Sequence, residues 1–88
     1  MMVNNIVYSS SFLKSTKKLP LQILKSAESK EKIFRENPLH HSLRLHQLHG
    51  KLKNQWSISI TGNYRIIFER QENGDILFLS IGSHDIYK

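Results

Sequence analysis

The side chains able to move protons or hold anions gather in three places along this chain. "HHSLRLHQLHGKLK" (residues 40–53) holds four histidines, Arg44, Lys51 and Lys53; "NYRIIFER" holds Arg65; and "SHDIYK" closes the chain with His84, Asp85, Tyr87 and Lys88. An imidazole has an ordinary pKa near 6.5, so His84, set just past a Gly-Ser break, is suited to give and take protons at neutral pH. Read by itself it is equally an ordinary exposed histidine. Arg65 offers a rigid fork that matches phosphate oxygens. Its bland alternative is a cross-strand ion pair with Glu69 or Asp75. Tyr87 is a packing aromatic, a base-stacking platform or a hydroxyl donor to phosphate. His46 and His49 share an H-x-x-H spacing, but neither a cysteine nor an acid in that segment completes a zinc site, so no metal is expected. His40 and His41 read as solvated surface, although any of the four histidines can serve as a second proton-transfer group.

The missing groups narrow the reaction. The chain has no cysteine, hence no thiol nucleophile, thiolate metal site or disulfide. No acidic residue lies between Glu36 and Glu69 to act as a base, there is no glycine-rich nucleotide loop, and Asp85 is too isolated to hold Mg²⁺ alone. No cofactor is called for. Chemistry built from His, Arg, Lys and Tyr points to RNA cleavage, where the 2′-hydroxyl is the nucleophile and the protein supplies proton transfer and charge stabilisation. DNA lacks that hydroxyl and would be bound without being cut.

Charge agrees. The net charge is +6, and in the stretch between Glu36 and Glu69 every charge is positive or protonatable. Such a stretch suits a polyanion, or merely keeps a small protein soluble. Eighty-eight residues make one domain, 1–88, with a small core. No apolar run approaches the roughly 18–20 residues needed to span a bilayer, and the start "MMVNNIVYSS" lacks the regions of a signal peptide. A soluble, cytoplasmic protein with no membrane partner is expected.

The elements that position these groups follow from pattern. "VNNIVY" reads as a first strand. "SSSFLKSTKKLP" offers a serine cap and apolar residues at near-helical spacing, stopped by Pro20. Leu21 to Asn37 is amphipathic, with Ile23, Leu24, Ala27, Ile33 and Phe34 on one side, and Asn37-Pro38 ends it. Residues 38–54 fit no template and read as a 17-residue connection, a length that favours a functional loop. "QWSISITG", "NYRIIFERQ" and "DILFLSIGS" form three strands, turning at Gly62-Asn63 and Asn73-Gly74. The expected fold is α+β: an N-terminal strand and helical hairpin, then a three-stranded antiparallel meander, with one sheet face covered by helices. Alternation puts Trp56, Ile58 and Ile60 towards the helices and Ser57, Ser59 and Thr61 on the open face. Arg65 goes with the open face, because a buried unpaired guanidinium is costly. Tyr8, Phe12, Phe34 and Trp56 are assigned to the core.

"LHQLHGKLKNQWSISITGNYRIIFE" and "LFLSIGSHDIYK" together resemble the RelE/ParE superfamily of bacterial type II toxins, especially its YafQ-like branch. The shared pattern is a Leu-x-Gly segment, a Trp-start strand, a "[DN]-[YW]-R-I-I-[FY]" strand and a terminal "I-G-[ST]-H". The resemblance implies a RelE-like microbial RNase fold and an mRNA interferase, an endoribonuclease that needs no metal and cuts mRNA on the ribosome. It implies that the strand-end His84 is catalytic, that His46, four residues before Gly50, contributes, that Arg65 contacts phosphate, and that Tyr87 takes the part of a C-terminal aromatic. Lys51 and Lys53 would add charge at the phosphate. Ser59 and Asn63 stand where YafQ-like toxins carry a histidine and an aspartate, and Lys88 where many relatives place the aromatic; all three are taken as RNA-binding positions. The resemblance further implies a cognate antitoxin whose acidic and apolar segment covers the basic site, and a toxin that is a monomer when free. Two other functions fit the same fold: gyrase inhibition in the manner of ParE, and RNA binding without catalysis.

Overall fold

The computed structural model describes residues 3–49 and 54–83. Within them the chain runs β1 (Ile6–Tyr8), α1 (Ser10–Thr16), α2 (Leu21–Glu36), a 3₁₀ turn (His41–Leu43), β2 (His46–Gln47), β3 (Gln55–Ser59), β4 (Tyr64–Arg70) and β5 (Ile76–Ser83). The strands form one sheet in the order β1-β5-β4-β3-β2. β1 pairs parallel to β5 and the other neighbours are antiparallel. The α+β class, the helix pair and the meander are as the sequence predicts. The difference lies in residues 38–54, where a 3₁₀ turn and the two-residue strand β2 replace a structureless connection.

Local chemistry sets the boundaries. Ser9 caps α1: its hydroxyl accepts from the Phe12 N–H (3.0 Å) and donates to the Leu79 carbonyl (3.1 Å). That carbonyl lies at the point where the β4–β5 register shifts, so the cap also ties α1 to an irregular stretch of β5. Pro20 precedes α2, where its missing N–H costs nothing, and Asn37 leaves helical geometry ahead of Pro38. The β4–β5 turn spans residues 71–75, with the Gln71 N–H bonded to the Asp75 carbonyl at 2.9 Å. Gly74 there has a φ of +88°, a conformation that side chains rarely adopt, and an added Cβ would push the Asn4 amide aside, so the turn favours glycine.

Both helices cover the same sheet face. Phe12, Phe34 and Leu43 pack against Ile58, Ile60, Ile66, Phe68, Ile76, Phe78 and Ile81. Phe34 meets Phe68 and Phe78 at ring separations of 5.0 and 6.1 Å, and Phe12 meets Phe78 at 5.3 Å. The register shift between Ile67 and Phe68 lets Phe78 and Ile81, three residues apart, both reach this core. Of the aromatics assigned to the core, Phe12 and Phe34 are buried, whereas Trp56 is half-buried and Tyr8 is 40% exposed. Tyr8 stacks on Phe12 and extends outward, donating its hydroxyl to Glu31 on α2 at 2.6 Å. Burial first, and then that bond to Glu31, holds the Tyr8 phenol above its ordinary value. Glu31 also accepts from Arg35, at 3.3 Å.

Candidate active site

The face turned away from the helices is assembled by register. On adjacent paired strands, residues directly opposite each other share a face. Ser59 lies opposite Arg65, and Arg65 opposite Gly82; His46 lies opposite Ser57, Ser57 opposite Ile67, and Ile67 opposite Ser80. One row is therefore Ser59–Arg65–Gly82, and the next is His46–Ser57–Ile67–Ser80. Two strand spacings and two residue steps put the Cα atoms of His46 and Arg65 roughly 12 Å apart. Between them stand only short side chains.

β2 is what brings His46 here. His46 is exposed, and its strand is pinned by pairing with Ser57 and Trp56 and by the Leu48 N–H donating to the Gln55 carbonyl at 2.9 Å. Arg65 is half-buried in the centre of the sheet. The ion-pair alternative is not realised among the described residues. Glu69 accepts from Gln71 at 3.2 Å, Asp75 from Asn73 at 3.2 Å and Asn5 at 3.4 Å, and Arg35–Glu31 is the ion pair those residues contain. Asn63 is exposed in the β3–β4 turn beside the Arg65 row, which closes through the Ile60 N–H to the Tyr64 carbonyl at 2.8 Å.

Two serines expected on a bare surface are buried, Ser57 at 2% and Ser59 at 8% exposure. A serine between two flanking strands stands low in the pleat, and the Ser59 hydroxyl is turned to the Thr61 carbonyl at 3.0 Å, holding the turn. Sequence reasoning left Ser80 and Gly82 without a role. Their signal was the interruption of the apolar run of β5, and they are the β5 residues opposite Ile67 and Arg65, of which Ile67 is buried. His84, Tyr87, Lys51, Lys53 and Lys88 lie outside the described residues. No three His, Asp or Glu side chains among the described residues come together as metal ligands, and no helix there is long and apolar enough to cross a membrane.

A family model described as the RelE-like toxin of the type II toxin–antitoxin system HigB matches residues 7–84. The chain belongs to this RelE-like toxin family. Solved structures share the toxin's fold. YafQ from E. coli strain BL21(DE3) superposes with a TM-score of 0.77 at 18% identity, over 92% of this chain and 93% of that one. The E. coli DinJ–YafQ complex gives 0.71 at 20% identity, over 97% and 99% of the two chains. The RelB–RelE antitoxin–toxin complex from Methanococcus jannaschii gives 0.70 at 26%, over 88% of each. No curated protein matches the sequence significantly. The superfamily expected from the motifs is the right one; the matching family model is HigB-like, and YafQ stands among the structural relatives of the toxin.

Proposed function

We propose that this toxin is a metal-independent endoribonuclease that cuts mRNA on the ribosome and is silenced by a cognate antitoxin. The observation that carries the reading is the pairing that sets His46 and Arg65 on one helix-free face with only short side chains between them. In the proposed reaction one histidine of the pair His46 and His84 takes the proton of a 2′-hydroxyl, whose oxygen attacks the adjacent phosphorus. The other histidine protonates the departing 5′-oxygen, and the two roles are interchangeable. Arg65, with Lys51 and Lys53, neutralises the charge gathering on the phosphate. Tyr87 belongs to the catalytic set, Asn63 and Lys88 hold the RNA chain, and Ser59, expected to join them, is buried with its hydroxyl turned to Thr61. The products are a 2′,3′-cyclic phosphate and a 5′-hydroxyl. Complexes such as DinJ–YafQ and RelB–RelE among the structural relatives support an antitoxin partner. We assign it an acidic and apolar segment, because the face it must cover is basic.

Primer extension on a defined mRNA, translated in a cell-free system with wild type, His46→Ala, Arg65→Ala and His84→Ala, tests the reading. Cuts at ribosome-occupied codons are expected from the wild type and should fade in all three variants. Full cleavage by His46→Ala and His84→Ala would sink the proton-transfer assignment. Absence of cuts by folded wild-type toxin, together with loss of gyrase supercoiling, would replace the nuclease with a gyrase inhibitor.

A further inference from the structure

The protein has two histidine pairs, and they differ in a way that decides what each can bind. His40 and His41 are stacked, ring centres 4.5 Å apart and planes inclined by only 24°. Parallel rings direct their in-plane lone pairs side by side rather than to one point. The Nδ1 of His40 is also occupied, accepting from the Ser42 N–H at 3.2 Å and lying 2.9 Å from the Ser42 hydroxyl. That pair is spoken for by the 3₁₀ turn. His46 and His49 are arranged otherwise, with ring centres 6.0 Å apart and planes nearly perpendicular at 85°. Metal–nitrogen bonds of about 2.0–2.1 Å place the centres of two imidazoles on one tetrahedral ion roughly 5–6 Å apart. The observed separation is close to that distance, and both side chains are exposed and able to rotate until a nitrogen of each faces one ion.

The backbone beneath them favours this arrangement. Three residues of extended chain would carry His49 about 10 Å from His46 and onto the opposite face. The rings meet instead, so the chain turns after Leu48, which is buried and bonded to Gln55. With His46 and Leu48 pinned to β3, less conformational entropy is lost when an ion draws the two imidazoles together.

We infer that His46 and His49 form a two-imidazole site for a borderline divalent cation such as Zn²⁺ or Cu²⁺, and that occupancy of this site inhibits the toxin. Imidazole pairs select these ions over Mg²⁺ and Ca²⁺, which prefer oxygen ligands. No third His, Asp or Glu among the described residues joins them. The inhibitory half of the inference rests on the proposed role of His46, whose lone pair the ion takes out of proton transfer. The binding half does not.

Isothermal titration of tag-free toxin with ZnCl₂ tests the site, with MgCl₂ as the control ion. One equivalent of Zn²⁺ should bind to wild type and to His40→Ala and His41→Ala. Affinity should fall at least tenfold in His46→Ala and in His49→Ala, and Mg²⁺ should not bind. Wild-type affinity in either of the last two variants, or no Zn²⁺ binding by the wild type, overturns the site. In the cleavage assay His49→Ala should cut like wild type yet resist Zn²⁺, and a chelator should restore the inhibited wild type. Equal inhibition of wild type and His49→Ala overturns the inhibitory role. Should wild type bind Zn²⁺ through this pair but cut no RNA, the nuclease reading fails while the site stands.

Discussion

The two faces of the sheet are made from the same strands by opposite rules. On the helix-covered face, long apolar side chains from every layer interlock, and Phe34, Phe68, Phe78, Ile58 and Ile76 are excluded from solvent altogether. On the other face, serines, a glycine and the buried Ile67 stand beside Arg65 and His46, the two side chains proposed to act on RNA. Stability is concentrated on the first face, and the proposed chemistry belongs to the second. The alternation of β3 and β4 makes this possible, because a residue chosen for one face leaves its neighbour free for the other.

The largest expected effect is on the packed face. Phe78→Ala removes a ring in contact with Tyr8, Phe12, Phe34 and Phe68, and should cost about 3–5 kcal/mol, read from urea denaturation. Small domains have only about 5–15 kcal/mol in total, so this variant should be partly unfolded at 37 °C. His46→Ala should do the reverse. Cleavage should fall roughly 10²–10⁴-fold, while the free energy of unfolding changes by no more than about 0.5 kcal/mol, because the side chain is exposed. A His46→Ala toxin that is markedly destabilised would break the division between the faces.

Next comes the seam. Ser9→Ala deletes both the helix cap and the bond to Leu79, for an expected loss of about 1–2 kcal/mol with cleavage retained in proportion to folded toxin. The smallest effect is at the margin of the core. Folding holds the Tyr8 phenol above its ordinary value, through burial first and then the bond to Glu31, so that bond contributes fully below about pH 10 and is lost as pH climbs through the raised value. Tyr8→Phe should therefore lower stability by about 1 kcal/mol or less from pH 7 to 9, with the difference from wild type closing at higher pH. Melting curves across that range check it. A difference that grows with pH would contradict the sign.

What was legible in the sequence had a local cause. The Ser9 cap, the Asn37-Pro38 stop, the glycine turn before Asp75 and the alternation of β3 and β4 each depend on neighbours a few residues away. β2 was not legible, because two residues have no periodicity and their strand conformation is imposed by Ser57 and Trp56 across the ladder. The register shift opposite Leu79 was equally hidden: no residue type announces it, yet it sends Ile81 to the core and Ser80 to the other face. The site divides along the same line. Arg65 could be assigned by parity together with the cost of burying a guanidinium. His46 joined it only through the resemblance, since the pairing that carries it there is long-range. Composition likewise marked β1 as a strand without saying that its partner would be β5 rather than one nearer in the chain.

That last pairing has a consequence in time. β5 lies between β1 and β4, so the first strand made has no neighbour until the last has been synthesised, and the Ser9 cap waits for a carbonyl seventy residues downstream. Contacts between such distant segments form late and make folding slow. While translation is still short of β5, the growing chain can hold no complete sheet, and a partial sheet cannot fix Arg65 between Ser59 and Gly82. A nascent copy therefore lacks the proposed site until β5 has joined the sheet. Any antitoxin already in the cell has the whole interval of synthesis and slow folding in which to arrive first.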